Sequence, residues 1–490
     1  MSNQSTKKRT LEFYGGKYMS LLPLGLFVIA CILLFVVIKD YSMESVCAGG
    51  FIAIIAGSLL AKKSSGYWNA VLKGMTMETI QTLALILIVV GMFGRMMTRA
   101  GIANGFVWIG LKLHLTGSMF TVFTFMAACL LALSTGSSFG TLFTAFPILY
   151  PSGILLGANP AALAGAILSG AIFGDNIAPI SDTTIASASS QAYKYKAGVA
   201  DIGGAVSSRI KYGLAAAAAS VICFAVTGGG GAVDTAGNEL LAQHTDPRSL
   251  IMLIPVVILL IVAIKSRNIF LASTAGIISG IAVGLVSGVL TPGDIVSVTD
   301  GAMDGFFVDG IKNVIGTIGY LYAVAGLIGL LNESGTMEDI IQKLINSKLN
   351  DSVIGSEIIM AIGVMLSCLA LGAANGPSII MFGPIANEIG KTKDLHPYRR
   401  ANLLDAFAGS LPIIVPVVSC FIFIAVSSAN GCMADYSFIR ELSPISISLH
   451  TYHCFFLFAV FAIAIFTGWG RKYEGKNGEM LSEAQYKAQK

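Results

Sequence analysis

Two carboxylates stand close together in a stretch that is otherwise apolar or hydroxylic. Asp175 and Asp182 lie in Phe173-Gly-Asp-Asn-Ile-Ala-Pro-Ile-Ser-Asp-Thr-Thr184, and between Ser118 and Tyr193 they are the only ionised groups, with no Lys or Arg. A carboxylate inside a membrane segment is costly and marks a functional position by default. Residues seven apart share one face of a helix, and Gly174 and Pro179 are expected to unwind the chain between them. Unwinding frees backbone carbonyls. Together with Asp175, Asn176, Ser181, Asp182, Thr183 and Thr184 these form a set of hard oxygen ligands, the kind a small hard cation such as Na+ needs. The plain structural alternative is that both acids cap helix ends in a buried loop.

A second polar element is Ser134-Thr-Gly-Ser-Ser-Phe-Gly-Thr141, flanked by apolar runs. Thr135, Ser137, Ser138 and Thr141 could line a hairpin tip that meets the aspartate segment; alternatively, the small residues only let helices pack closely. Further along, Gly372-Ala-Ala-Asn-Gly-Pro-Ser378 offers Asn375 and Ser378. Asp405, next to Asn402, is a weaker candidate that could equally sit at a helix end. Arg95 and Arg99, one turn apart near the end of a span, read as side chains snorkelling to the interface. The eight cysteines are scattered without a C-x-x-C pair, and His450 and His453 have no acidic or Cys partner, so neither set reads as a metal site.

The elements that would hold these residues are transmembrane helices. Of 490 residues 55% are hydrophobic and only 12% charged, against about 25% charged in an average soluble domain. The net charge of +4 is spread along loops and makes no stripe for nucleic acid. Apolar runs recur in two series, and the short ones flank Gly/Ser/Thr/Asn/Pro clusters, the pattern of broken helices or re-entrant hairpins. The series match each other: Gly91/Gly94 with Gly326/Gly329, Gly136/Gly140 with Gly372/Gly376, and Pro179 with Pro416, in one order at an offset of about 236 residues. The partner of the aspartate segment, Gly409-Ser-Leu-Pro-Ile-Ile-Val-Pro416, has no acid. The fold class is therefore an all-α polytopic membrane protein with two inverted-topology repeats.

Loop charge sets the orientation. Lys62/Lys63/Lys73, Lys194/Lys196/Arg209/Lys211, Lys265/Arg267, Lys391/Lys393/Arg399/Arg400 and Arg471/Lys472 are expected in the cytoplasm, and the loop 229–247, without Lys or Arg, outside. The chain then divides into a cytoplasmic tail 1–19, a first repeat 20–230, an external linker 231–248, a second repeat 249–468 and a cytoplasmic tail 469–490. The expected location is the plasma membrane.

The segments Phe173–Thr184 and Gly136-Ser-Ser-Phe-Gly-Thr141 resemble the two signature segments of the NhaC-type Na+/H+ antiporter family of the ion transporter superfamily. The Gly66-Tyr-Trp-Asn69 region and His396-Pro-Tyr-Arg-Arg-Ala-Asn402 fit as well, so the resemblance covers nearly the whole chain apart from the tails. It implies inverted repeats with re-entrant hairpins, elevator-like alternating access and a homodimer. It also implies Na+ and H+ as coupling ions, no bound cofactor, and organic acids or amino acids as cargo in some members. Asp175 and Asp182 match the motif's acids, and Thr183 and Thr184 its hydroxyl pair. Asn176 and Ala178 depart from it, where many members have Lys and Ser, which leaves a second substrate class open: a small organic acid or amino acid coupled to Na+ or H+. Intramembrane aspartyl proteases also use two buried Asp, but on separate helices in Tyr-Asp and Gly-x-Gly-Asp motifs absent here, so the chain is expected not to be an enzyme.

Overall fold

The apolar runs fold into helices, and among the described residues nine of these are long and apolar enough to cross a membrane. The computed structural model describes residues 11–40, 42–230, 243–266, 268–299 and 301–489. The expected linker 231–248 falls largely outside them, as does Arg267. Among the described residues strand is confined to two short antiparallel ribbons, Ser297–Thr299 with Ala302–Asp304 and Tyr473–Glu474 with Met480–Leu481.

The two halves repeat each other element by element. The hairpin Ser118–Thr135/Ser138–Leu155 corresponds to Val353–Leu369/Asn375–Thr392. The broken span Pro160–Ile177/Asp182–Ser189 corresponds to Pro397–Ala408/Cys420–Gly431. Their start and stop signals also recur. Asn159 and His396 cap helices that open on Pro, and Ser181 and Ser419 cap the helices after each break. Gly136 and Gly372 turn the two hairpin tips with φ of +62° and +65°, a region that favours glycine.

The hairpins enter from opposite faces. The ends of the first meet at Gly117 N–H to Leu156 O, beside Asn159 N–H to Gly228 O. The ends of the second are tied by Lys393 Nζ to Asp351 O at 3.2 Å. That second face also holds Lys17–Asp339, Lys73–Glu333 and Lys194–Asp394, and with them both described ends of the chain. We call it the termini face and its opposite the far face. The repeat is thus inverted.

Packing sorts the helices into two bodies. In the framework body, Phe306–Glu333 lies against Glu78–Arg99, Ser64–Met75 and Met43–Ser58, and Ile269–Ser287 against Leu253–Ser266 and Glu78–Arg99. In the site body the hairpins enclose both broken spans, with Ile202–Thr227 and Tyr452–Thr467 beside them. The segment 469–489 packs on the site body: Tyr473 stacks on Tyr486, and Glu474 accepts the Lys194 and Tyr195 amide N–H groups.

Four arginines from the loops expected in the cytoplasm, Arg209, Arg399, Arg400 and Arg471, are buried within the fold. Arg209 pairs with Asp405 at 2.6 Å, Arg399 with Glu357 at 2.7 Å, and Arg400 donates to Asn387 and Ala192 carbonyls. Glu357, fully buried on the second hairpin, is also held by Arg471 at 2.7 Å. Each charge stays inside because an opposite charge or carbonyl compensates it. Arg95 and Arg99 likewise do not reach out to the interface. They are bound by Asp304, Asp309 and Asp435.

Candidate functional site

Both hairpin tips and the first break meet at one place. The helix that begins at Pro160 packs on Ser118–Thr135 so closely that a Cβ on Gly170 would stand 2.6 Å from the Ala128 Cβ, and one on Gly174 2.3 Å from that of Ala132. Gly174 therefore does not unwind the span as expected. The helix continues to Ile177, and only 178–181, around Pro179, breaks. Asp175 sits on the last turn before the break and Asp182 on the first turn after it.

The two acids are treated differently. Asp175 is buried, and fixed donors reach both of its oxygens: Ser181 Oγ at 2.6 Å on Oδ1, Ser138 Oγ at 3.0 Å and Asn375 Nδ2 at 3.4 Å on Oδ2. Ser181 accepts from Thr183 N–H, which leaves its own hydrogen for Asp175. Asp182 is exposed into a cavity, and among the described residues its carboxylate accepts only from the Thr183 amide. The N-terminal ends of the helices beginning at Ser138, Asp182 and Asn375 converge here, and their partial positive charge offsets part of the cost of the two anions.

The cavity has a volume of about 230 Å³, and Thr135, Ser137, Ser138, Phe139, Asp175, Asp182, Asn268 and Asn375 contribute to its wall, with no Lys or Arg among the described residues. It lies toward the termini face, where the turn at Asn268 borders it. Toward the far face it is closed by the stack of Phe139 on Phe421, 4.5 Å between centroids, and by buried Phe143, Phe146 and Tyr150 beyond.

The remaining candidates sit around this cavity rather than in its wall. Thr141 donates to Ser137 O within its helix, and Ser378 to Asn375 O. Thr183 pairs with Ser181. Thr184 and Asn176 face Asp405, whose carboxylate also takes Ser187 Oγ at 3.2 Å and Arg209 Nη1 at 2.6 Å. Asp405 thus has a basic partner, which Asp175 and Asp182 lack among the described residues. Sequence reasoning missed Arg209 and Asn268: the first was read as a loop charge, and the second had only its capping position before an apolar run as a signal. Among the described residues, no group of three His, Cys, Asp or Glu could hold a metal ion.

Residues 11–196, which include the first hairpin and both aspartates, match the Na+/H+ antiporter family. The chain is 28% identical over 344 residues to the malate-2H+/Na+-lactate antiporter of Bacillus subtilis, covering 66% of this chain and 70% of that one. It is 30% identical over 180 residues to the Na+/H+ antiporter NhaC of Alkalihalophilus pseudofirmus, covering 36% and 37%. It is 24% identical over 438 residues to the arginine/ornithine antiporter ArcD of Halobacterium salinarum, covering 84% of each. Over residues 11–196 the chain is thus similar to the Na+/H+ antiporter family, and its apolar helices make it a multi-pass membrane protein of the secondary-transporter kind.

Proposed function

We propose that the chain exchanges Na+ for H+ and that Asp182 is the carboxylate on which the two compete. The observation that carries this reading is the contrast between the acids. Asp175 has its oxygens filled by Ser138, Ser181 and Asn375, whereas Asp182 turns open oxygens into a water-accessible cavity that no basic group lines among the described residues. A proton or a Na+ neutralises Asp182 equally well, and either loaded form can cross. The empty anionic form is held back by the cost of moving an unpaired carboxylate through the barrier. Asp175, with its donors fixed, orders the break and supplies a second negative charge. The Lys-rich termini face is cytoplasmic, and the membrane is the plasma membrane. Proteoliposomes with an imposed Na+ gradient and an internal pH dye test this: Asp182→Asn should abolish Na+-driven proton movement, and unchanged exchange would overturn the assignment.

A second reading is favoured by the cavity, whose roughly 230 Å³ exceeds what one Na+ requires. It is cation-coupled movement of a small organic acid or amino acid, the cargo named for two of the relatives. Counterflow of labelled hydroxy acids and amino acids separates the two readings.

A further inference from the structure

Among the described residues, one ion pair joins the framework body to the site body. Arg95, on the framework helix Glu78–Arg99, binds Asp435, which follows the site-body helix Cys420–Gly431. The contact is two-pronged: Nη1 on Oδ2, and Nη2 on Oδ1 at 3.1 Å. Arg95 also donates to Gly431 O at 3.4 Å, and close by Ser427 Oγ donates to Asn313 O at 3.3 Å. All of this lies on the far face, where the cavity is closed. The pair is largely buried, with side-chain exposures of 8% and 21%. Asp309, on the framework helix Phe306–Glu333, stands 3.4 Å from Arg95 Nη2 while Arg99 holds it at 2.5 Å.

We propose that Arg95 latches the two bodies together on the far face, and that Asp309 receives it when the site body moves. The inference rests on the reading of the chain as an alternating-access transporter. A site that opens to one face must separate framework from site body at the other, and a cross-body ion pair must then break. A buried guanidinium left alone would oppose that step. Asp309 removes the obstacle, because it belongs to the same body as Arg95 and is already in contact. Arg95 changes partner while its charge stays compensated. The bidentate fork sets the strength of the closed state, and Asp309 sets the height of the barrier to leaving it.

A native thiol reports on the latch. Cys432 is buried beside Arg95, Thr98, Ser427 and Ser428 around a far-face cavity of about 40 Å³. The protein in lipid nanodiscs is treated with a hydrophilic maleimide, and labelling is mapped at Cys432 and at the core thiols Cys129 and Cys368. Asp435→Asn should speed labelling of Cys432 at least about tenfold over the unaltered chain while the core thiols stay protected. Asp309→Asn should leave Cys432 as protected as in the unaltered chain and slow exchange in proteoliposomes. Should Asp435→Asn expose all three thiols by unfolding, Arg95→Lys, which keeps the charge and loses the fork, should expose Cys432 alone. Unchanged Cys432 labelling in the Asp435 or Arg95 variant, or labelling as fast in Asp309→Asn as in Asp435→Asn, overturns the proposal. No cargo enters the labelling assay, so a wrong ion assignment would leave its outcome unchanged.

Discussion

Ser181 ties itself to Asp175 at 2.6 Å, and so the residue just before Asp182 is committed to the other aspartate. The consequence is a division of labour that substitution should reveal. Asp182→Asn is expected to lower the Na+-driven exchange rate at least about 100-fold, since an amide neither releases a proton nor balances a cation. Ser138→Ala removes one hydrogen bond to a charged group and should weaken apparent Na+ affinity by about tenfold while exchange persists. Initial rates in proteoliposomes over a Na+ series measure both. Equal losses in the two variants would contradict the division.

Gly376 brings the second hairpin against the same carboxylate. A Cβ there would stand 3.0 Å from Asp182 Oδ2, closer than a neighbour accepts without moving. Gly376→Ala should therefore displace the Asp182 carboxylate and reduce Na+-dependent thermal stabilisation, with little change in the melting temperature without Na+. A normal Na+ response would show that the tip gives way instead.

Behind the cavity, Arg209 and Asp405 are an example of buried opposite charges whose single loss is worse than their joint loss. Arg209→Gln alone leaves Asp405 uncompensated, at a cost of about 3–5 kcal/mol, whereas Arg209→Met with Asp405→Leu should recover much of it. Thermal unfolding in detergent gives the order. A double variant less stable than either single one would show that the pair contributes beyond mutual compensation.

His396 makes stability pH-dependent. Its Nδ1 accepts the Tyr398 N–H at 3.2 Å and so caps the helix that carries Asp405, a role open only to the neutral ring. Burial first, with Arg400 and Lys196 nearby, pushes the imidazole down to about 4 from its ordinary 6.5. The unfolded chain binds a proton between these values and the folded one does not, so stability is full above about pH 6.5 and declines toward pH 4. Melting temperatures across this window should fall, and His396→Asn should flatten the slope. An unchanged slope in His396→Asn would place the pH dependence elsewhere.

The inverted repeat was legible because hairpins and breaks are written in glycine, proline and capping residues, whose meaning is local. Asp175 and Asp182 were conspicuous for the same reason: nothing in the surrounding sequence neutralises them. What escaped was compensation over distance. Arg209 lies close to lysines in sequence and reads as a loop charge until the fold sets it against Asp405, which lies 196 residues on. Gly174 was misread because a glycine that loosens a helix and one that lets a neighbour approach look alike until Ala132 is in place.

Glu357 imposes an order on biogenesis. It enters the bilayer 42 residues ahead of Arg399 and 114 ahead of Arg471, the two cations that later hold it. Through that interval of synthesis the nascent hairpin carries an acid without its final partners. It must wait at the lipid headgroups or sheltered by the insertion machinery until the later arginines arrive.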